Sequence, residues 1–458
     1  MAGGALPGFR DFYPDEFAQR AHIFRAWREV ARRYAFVEYD GPPLESLELY
    51  TRKSGQEIAA QLYNFTDKGG RQVALRPEMT PTLARMVAAR ANALRKPVRW
   101  FSTPQLYRYE RAQRGRLREH FQLNVDIVGE ASEVADAELL CVAIDVMREL
   151  GLTHEDVRAR VSDRRLLNAL LVEIGITAAQ LAPVYGVLDK FGRQPEAVSH
   201  EKLTAAGLGA TVVEQVMSLP AVRSLASLRA GLGSSVSVTP HVEQLDRYFT
   251  HLDALGVREW VDVDLTIVRG LDYYTGTVFE LFDAKGQLRA ICGGGRYDTL
   301  LNDLGGVDLP ALGFGMGDVV LGELLKERGL MPLSAISGAD VFVVGGEGAL
   351  DHGIADALKL VRLLRTAGLR VDYTLSSDRY LTQSARNQVD SARKSGARAA
   401  ASFESASAVA VQGLAGKMND APRQLFAAEP LLAGDVQAVR TLKQWFDANI
   451  PTRHHDQD

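Results

Sequence analysis

Five arginines fall within eleven positions in one short stretch of the chain: Arg108, Arg111, Arg114, Arg116 and Arg118, interrupted by Gly115. A guanidinium stays charged and donates two parallel bonds, which suits phosphate oxygens. A strand, a basic loop and a return strand would aim several of these groups at one place. Tyr107 and Phe121 on either side anchor such a loop in core strands; without them a solvated basic loop is the better reading of the run. A second segment, Leu75-Arg76-Pro77-Glu78-Met79-Thr80, sets a carboxylate beside a hydroxyl, two acceptors for an ammonium group. A third, Arg269-Gly270-Leu271-Asp272-Tyr273-Tyr274-Thr275-Gly276, carries an arginine, a carboxylate and two tyrosines, and Cys292-Gly293-Gly294-Gly295-Arg296-Tyr297-Asp298 follows. Three consecutive glycines let a ligand approach the backbone closely. Read alone, either of these last two segments fits a packed glycine hairpin as well as a site.

Other candidates fail on spacing. Gly313-Phe314-Gly315-Met316-Gly317 is not a dinucleotide fingerprint, because Asp318 stands where the third glycine belongs. Gly345-Gly346-Glu347-Gly348 fails likewise at Asp351. His120 reads as a strand residue and His454-His455 lies in the tail, so no metal site is expected. Cys141 and Cys292 are the only cysteines and lie far apart, which argues against a disulfide framework and fits a reducing cytoplasm. A net charge of −4 argues against indiscriminate coating of nucleic acid, but a local basic patch is what binds tRNA. No apolar run is long enough to span a bilayer, and the first residues lack a signal-peptide pattern.

The elements that must hold these residues are legible as patterns. With 458 residues the chain calls for more than one core. A helix begins near Pro14, where Asp15 and Glu16 suit the positive end of its dipole, and Ile23, Trp27, Val30 and Tyr34 recur at helical spacing. Between Gln72 and Gly129 short strands are expected at Val73–Leu75, Val98–Phe101, Leu106–Tyr109 and Leu123–Ile127. A helix runs from Glu133 to about Leu150, stopped by Gly151. Val157, Ala159 and Val161 alternate like a half-buried strand. From about Arg165 to Leu255 the pattern is helical and poor in polar chemistry, as an inserted module would be. Strand signals return at Val263–Val268 and Val278–Phe282. Mostly antiparallel strands with helices make an α+β domain over residues 1–332. A Ser, Ala and Gly stretch at Leu333–Gly338 reads as a linker. Beyond it, at 339–451, strands at Val341–Val344, Val371–Tyr373, Ala399–Ala401 and Val409–Val411 alternate with helices at Ala355–Ala367 and Leu381–Ser395. That is a small α/β domain with parallel pairing. Residues 452–458 are expected to be a disordered tail.

Taken together and in this order, the segments resemble class II aminoacyl-tRNA synthetases, and specifically the histidyl-tRNA synthetase family. Leu6-Pro7-Gly8-Phe9-Arg10-Asp11-Phe12-Tyr13-Pro14, the helix after it and Pro43-Leu44-Glu45 resemble the family's first motif, which builds a dimer interface. Leu75 to Thr80 resembles its Arg-Pro-Glu-x-Thr segment, and Arg108 to Gln122 its second motif. Arg269 to Gly276 and Gly294 to Asp298 resemble the two histidine-specific motifs. The resemblance implies an antiparallel class II catalytic domain with a helical insertion, followed by an anticodon-binding-like α/β domain. It implies histidine, ATP and tRNA(His) as substrates, Mg2+ bound with ATP, and a homodimer in the cytoplasm. Glu78 and Thr80 would hold the substrate ammonium. Arg108 would bind the α-phosphate, Glu110 would lie beside the adenine, and Arg116 would touch ATP or the tRNA end. Gln122 would contact the amino acid, and Asp126, where the family usually has glutamate, would face the imidazole with Tyr274 and Tyr273. Arg269 would be the catalytic cation.

One departure stands out. The family's third motif ends in an arginine that packs on the adenine, and here Val320 occupies that place. Two non-catalytic alternatives follow from it: a regulatory subunit of an ATP phosphoribosyltransferase, which binds histidine as a signal, or a sensor of histidine or uncharged tRNA. Arg108, Arg269 and the complete Arg-Gly-Leu-Asp-Tyr-Tyr run favour the ligase.

Overall fold

Residues 4–51, 61–111, 113–232, 235–268, 273–332, 338–345, 353–415 and 421–451 are described by a computed structural model of the chain. Arg269–Asp272, most of the expected linker and the tail lie outside them. The chain divides into two compact units, Met1–Ser334 and Ala335–Asp458.

In the first unit Pro14 opens a helix to Arg33, with Asp15 and Glu16 in its first turn and Arg32 and Arg33 in its last. This charge order complements the helix dipole. Ile23, Trp27 and Val30 are buried along it. Among the described residues twelve strands follow: β1 Val37–Glu38, β2 Leu44–Ser46, β3 Asn64–Thr66, β4 Gln72–Leu75, β5 Val98–Ser102, β6 Gln105–Tyr107, β7 Glu119–Val128, β8 Val157–Asp163, β9 Val261–Val263, β10 Thr277–Asp283, β11 Cys292–Arg296 and β12 Ala311–Gly317. Among the described residues the main sheet has the order β1-β5-β7-β12-β11-β10-β8-β9, with β6 paired to β7, and β2-β4-β3 form a small sheet. Pairing is antiparallel through the middle, while β1–β5 and β8–β9 at the edges are parallel. The first helix and the helix Glu133–Glu149 pack with Leu123, Val125 and Ile127 of β7 in the main core. Gly151, at φ +80°, ends the second of these helices as expected.

Between β8 and β9 the chain is helical: Arg164–Glu173, Ala178–Leu188, Glu196–Ala205, Ala210–Ser218, Leu225–Leu232 and Thr239–Ala254. The expected strand Val263–Val268 is corrected here, since strand pairing ends at Val263. Asp264 instead accepts from the Thr266 amide (3.0 Å) and hydroxyl (2.6 Å), which bends the chain into a turn. The expected strand Leu106–Tyr109 likewise ends at Tyr107.

The second unit has β13 Val341–Val344, β14 Val371–Tyr373, β15 Ala399–Ser405, β16 Ala408–Gly413 and β17 Arg423–Ala427, in the order β14-β13-β15-β16-β17. Among the described residues only β13 pairs in parallel, with β14 and β15, and the other pairings are antiparallel, a second correction. The expected helix Leu381–Ser395 is two, Ser377–Thr382 and Ala385–Lys394, because the Ser384 hydroxyl caps the second. Among the described residues no single helix is long and apolar enough to cross a membrane.

Candidate active site

Side chains alternate along β7. Leu123, Val125 and Ile127 enter the main core, so His120, Gln122, Asn124 and Asp126 share the opposite face. The neighbouring strand is β12, where Gly313 lies opposite Asp126 and Gly317 opposite Gln122. A Cβ on Gly313 would stand 2.0 Å from Asp126 Oδ1, and one on Gly315 would stand 2.7 Å from the Gln122 amide carbon. The glycine run is therefore a strand stripped of side chains so that the carboxylate and the amide can lie across it.

Asp126 is buried and accepts a short hydrogen bond from the Tyr297 hydroxyl. Burial pushes its carboxyl up to about 7, against the pull of that bond. Tyr297 begins the turn after β11, and its own hydroxyl is held well above the ordinary range by burial and by Asp126. Tyr273 and Tyr274 pack beside it, with ring centroids 5.8 and 6.5 Å from Tyr297 and 5.0 Å from each other. The Tyr273 hydroxyl lies 3.4 Å from Glu78 Oε2. Glu78 is buried, and Thr80 two residues on is the first residue of the helix Thr80–Ala89. Buried Arg76 fixes this corner: its guanidinium donates to the Gln105 and Gly41 carbonyls and to Asp40, at 3.1, 2.7 and 2.7 Å.

The basic loop lies between β6 and β7. Arg108 Nε donates to the Pro77 carbonyl at 3.0 Å, linking the loop to the Glu78 segment. Among the described residues Arg108 has no carboxylate partner, so its charge is available to a ligand. Arg116 pairs with Glu110. Arg118 donates to the Glu110 carbonyl at 3.0 Å and covers the Tyr109 ring. Arg114 reaches Glu323 and Glu327 on the helix Asp318–Glu327. The Gly115 amide also donates to Glu323, at 3.2 Å. Val320 on the same helix is buried, and a Cβ on Gly115 would sit 3.3 Å from it. The loop tip thus folds over the position where an arginine was expected.

Contacts join Glu78 to Tyr273, Tyr273 and Tyr274 to Tyr297, and Tyr297 to Asp126, with Gln122 on the same face of β7. Arg108, Glu110 and Arg116 lie on the loop that Arg108 ties to Pro77, and Thr80 lies two residues beyond Glu78. Arg269 falls outside the described residues. Two residues gain weight that their sequence context did not give them. Tyr297 lies in the second histidine-specific segment, whose pattern gives it no role of its own; its bond to Asp126 supplies one. His120 shares the site face of β7, and burial together with Arg108, Arg10 and Arg116 holds its imidazole neutral, down to about 3. Arg10 ties the entry of β7 to the helix behind Val320, bonding Glu119 at 2.6 Å and Asp318 at 2.9 Å. Its type alone signalled nothing of this.

A family model described as histidyl-tRNA synthetase matches residues 8–317. The chain is 47% identical over 376 residues to a histidine–tRNA ligase of Opitutus terrae, covering 81% of this chain and 85% of the relative. It is 41% identical over 371 residues to the chloroplastic/mitochondrial histidine–tRNA ligase of Arabidopsis thaliana, covering 81% and 75%. Among solved structures, a histidyl-tRNA synthetase from Nostoc superposes with a TM-score of 0.77 at 23% identity, covering 95% of this chain and all of that one, a likeness of fold. A model match across most of the first unit and curated relatives above 40% identity over most of the length place the chain in the histidyl-tRNA synthetase family.

Proposed function

We propose that this protein is a histidine–tRNA ligase that activates histidine with ATP and transfers it to the 3′ end of tRNA(His). The observation that carries the reading is the cluster itself: a buried carboxylate, Asp126, bonded to Tyr297 with Tyr273 and Tyr274 packed beside that ring, and Arg108, without a carboxylate partner among the described residues, near His120 of the same strand face. The identity to several relatives named as ligases favours catalysis over a regulatory or sensing role.

In this reading Glu78 and Thr80 accept from the histidine ammonium and Gln122 contacts the amino acid. Asp126 accepts from one imidazole nitrogen while Tyr274, with Tyr273 beside it, meets the other. The histidine carboxylate attacks the α-phosphorus of ATP, the bond to the β-phosphate breaks, and pyrophosphate leaves. The 3′ hydroxyl of tRNA then attacks the histidyl carbonyl and AMP departs. No side chain needs to become covalently bound, so the protein contributes positioning and charge. Arg108 holds the α-phosphate. Arg269 is assigned the cation between carboxylate and α-phosphate. Arg116 and Glu110 complete the nucleotide side, with Glu110 beside the adenine. Because Val320 brings no charge, Arg108 and Arg269 carry more of the phosphate charge than they would beside an arginine at that position.

Magnesium enters with ATP as part of the substrate. Among the described residues no three acidic, thiol or imidazole groups gather to hold a resident ion, and magnesium in nucleotide sites is bound largely by phosphate oxygens. We also assign a homodimer, supported by the exposed apolar side chains Leu6, Tyr13, Phe17, Val37 and Leu44 on the first-motif segment. The 339–451 domain is assigned anticodon binding, and the location is assigned to the cytoplasm. The assay is charging of tRNA(His) with labelled histidine. Wild-type protein forms an alkali-labile histidyl-tRNA, and Arg108→Ala loses about a hundredfold or more in rate. Failure of the wild type to charge any tRNA would reject the reading.

A further inference from the structure

The helical module does more than fill space beside the catalytic sheet. Its first residue, Arg164, directly follows β8 and touches both flanks of the segment that carries Tyr273 and Tyr274. The Arg164 amide donates to the Gly276 carbonyl at 3.0 Å. Its guanidinium donates to the Val268 carbonyl at 2.7 Å. The same guanidinium stacks over the ring of Tyr185, 4.4 Å from its centroid, on the module's second helix. A second tie lies upstream. Buried Asp264, whose side chain shapes the turn leading to Val268, is ion-paired with Arg223 of the module as well as with Arg160 of β8, the latter at 3.7 Å. Downstream, Thr275 is fixed within the sheet domain, its amide donating to the Arg296 carbonyl at 2.8 Å.

We propose that Arg164 is a positioning residue through which the helical module holds Val268 and Gly276, and with them the placement of Tyr273 and Tyr274, with Tyr185 as the module's hold on it. The physical reason is the bond pattern. One planar cation donates to a backbone carbonyl on one side and offers its face to an aromatic ring on the other, so moving the module drags the carbonyl with it. Among the described residues Arg164 bonds neither the basic loop nor Arg108, so its influence reaches the site through Val268 and Gly276, which flank Arg269, Tyr273 and Tyr274 in the sequence, and not from the Arg108 side. This inference rests on the ligase reading for its kinetic test, but not for its binding test.

The test is histidine-dependent ATP–pyrophosphate exchange with Arg164→Ala, Arg164→Lys, Tyr185→Ala and Tyr185→Phe in the full-length protein, with histidine binding measured by calorimetry on the same samples. Loss of the clamp lowers kcat/KM for histidine about ten- to a hundredfold, through weaker histidine binding and through kcat, since Arg269 follows Val268 directly, while KM for ATP changes much less. Tyr185→Ala moves the same parameter in the same direction. Tyr185→Phe, which keeps the ring, and Arg164→Lys, which keeps a donor and a charge, recover most of the loss. Wild-type values in Arg164→Ala overturn the proposal. So does a loss that follows a lowered melting temperature while the folded fraction binds histidine as tightly as wild type, which marks a purely structural role. If the wild type itself shows no exchange, the ligase reading fails separately, and the clamp stands or falls on whether Arg164→Ala weakens histidine binding.

Discussion

Asp126 shows what a single residue type can and cannot reveal. Its position in the order of motifs was legible, and its being one methylene shorter than the family's usual glutamate was visible at once. Its environment was not, because the Tyr297 hydroxyl and the bare strand at Gly313 come from segments distant in sequence. That environment has a consequence for pH. In the folded protein Asp126 keeps its proton up to about pH 7, whereas in an unfolded chain it ionises near about 4. A raised carboxylate stabilises the fold fully below the unfolded value, and that contribution drains away as pH rises through the folded one. Asp126→Asn, which cannot ionise, therefore gives no gain near pH 4. Its gain grows to about 2–4 kcal/mol by pH 7 and is flat above it. Urea unfolding of both proteins across that range checks the shape; a gain that increases toward acid would contradict it. The same variant loses histidine binding. Gly313→Ala tests the stripped strand. Its Cβ would stand 2.0 Å from Asp126 Oδ1, so it costs about 1–3 kcal/mol of stability and weakens histidine binding together. Thermal melts and calorimetry read the two effects.

Elements were read well where apolar periodicity was long and poorly where a polar side chain redirects the backbone. The first helix and the helix Glu133–Glu149 lie where their apolar stripes put them. Val263 to Val268 alternates like a strand, yet the Asp264 carboxylate captures Thr266 and turns the chain instead. Ser384 splits an apparently continuous helix for a similar reason. The edge strand β17 was missed because its exposed residues lack an alternating pattern. Ion pairs joining elements were also beyond reach. Arg296 at the end of β11 is buried against Asp136 of the Glu133–Glu149 helix at 2.8 Å. Burial pushes the Asp136 carboxyl up to about 6 even beside that cation. Arg296→Met leaves Asp136 unpaired and costs about 3–5 kcal/mol at pH 8. Arg296→Met combined with Asp136→Leu recovers much of that, as chemical denaturation of the single and double variants would register. A double variant no more stable than the single one would show the pair is not the source.

At the scale of the whole molecule, the residues of Met1–Ser334 and those of Ala335–Asp458 close separate cores. Truncation after Leu333 therefore leaves a folded catalytic unit that activates histidine but charges tRNA(His) about tenfold or more less efficiently, if the second unit holds the anticodon end. Charging kinetics of full-length and truncated protein decide this; equal charging would remove the anticodon role. The division into a mixed domain with a helical insertion and a smaller α/β domain was visible in changes of pattern along the chain. The pairing directions of the smaller sheet were not, since strands alternating with helices suit parallel pairing throughout and, among the described residues, only β13 pairs that way. The central claim is that Asp126, its tyrosines and Arg108 form a pocket that activates histidine without an arginine at position 320. Exchange of labelled pyrophosphate into ATP, measured with each of the standard amino acids in turn, tests it most directly. Exchange that depends on histidine alone and disappears in Arg269→Ala, while histidine binding partly persists, is the expected result. Absence of exchange by well-folded protein with histidine present would contradict the account.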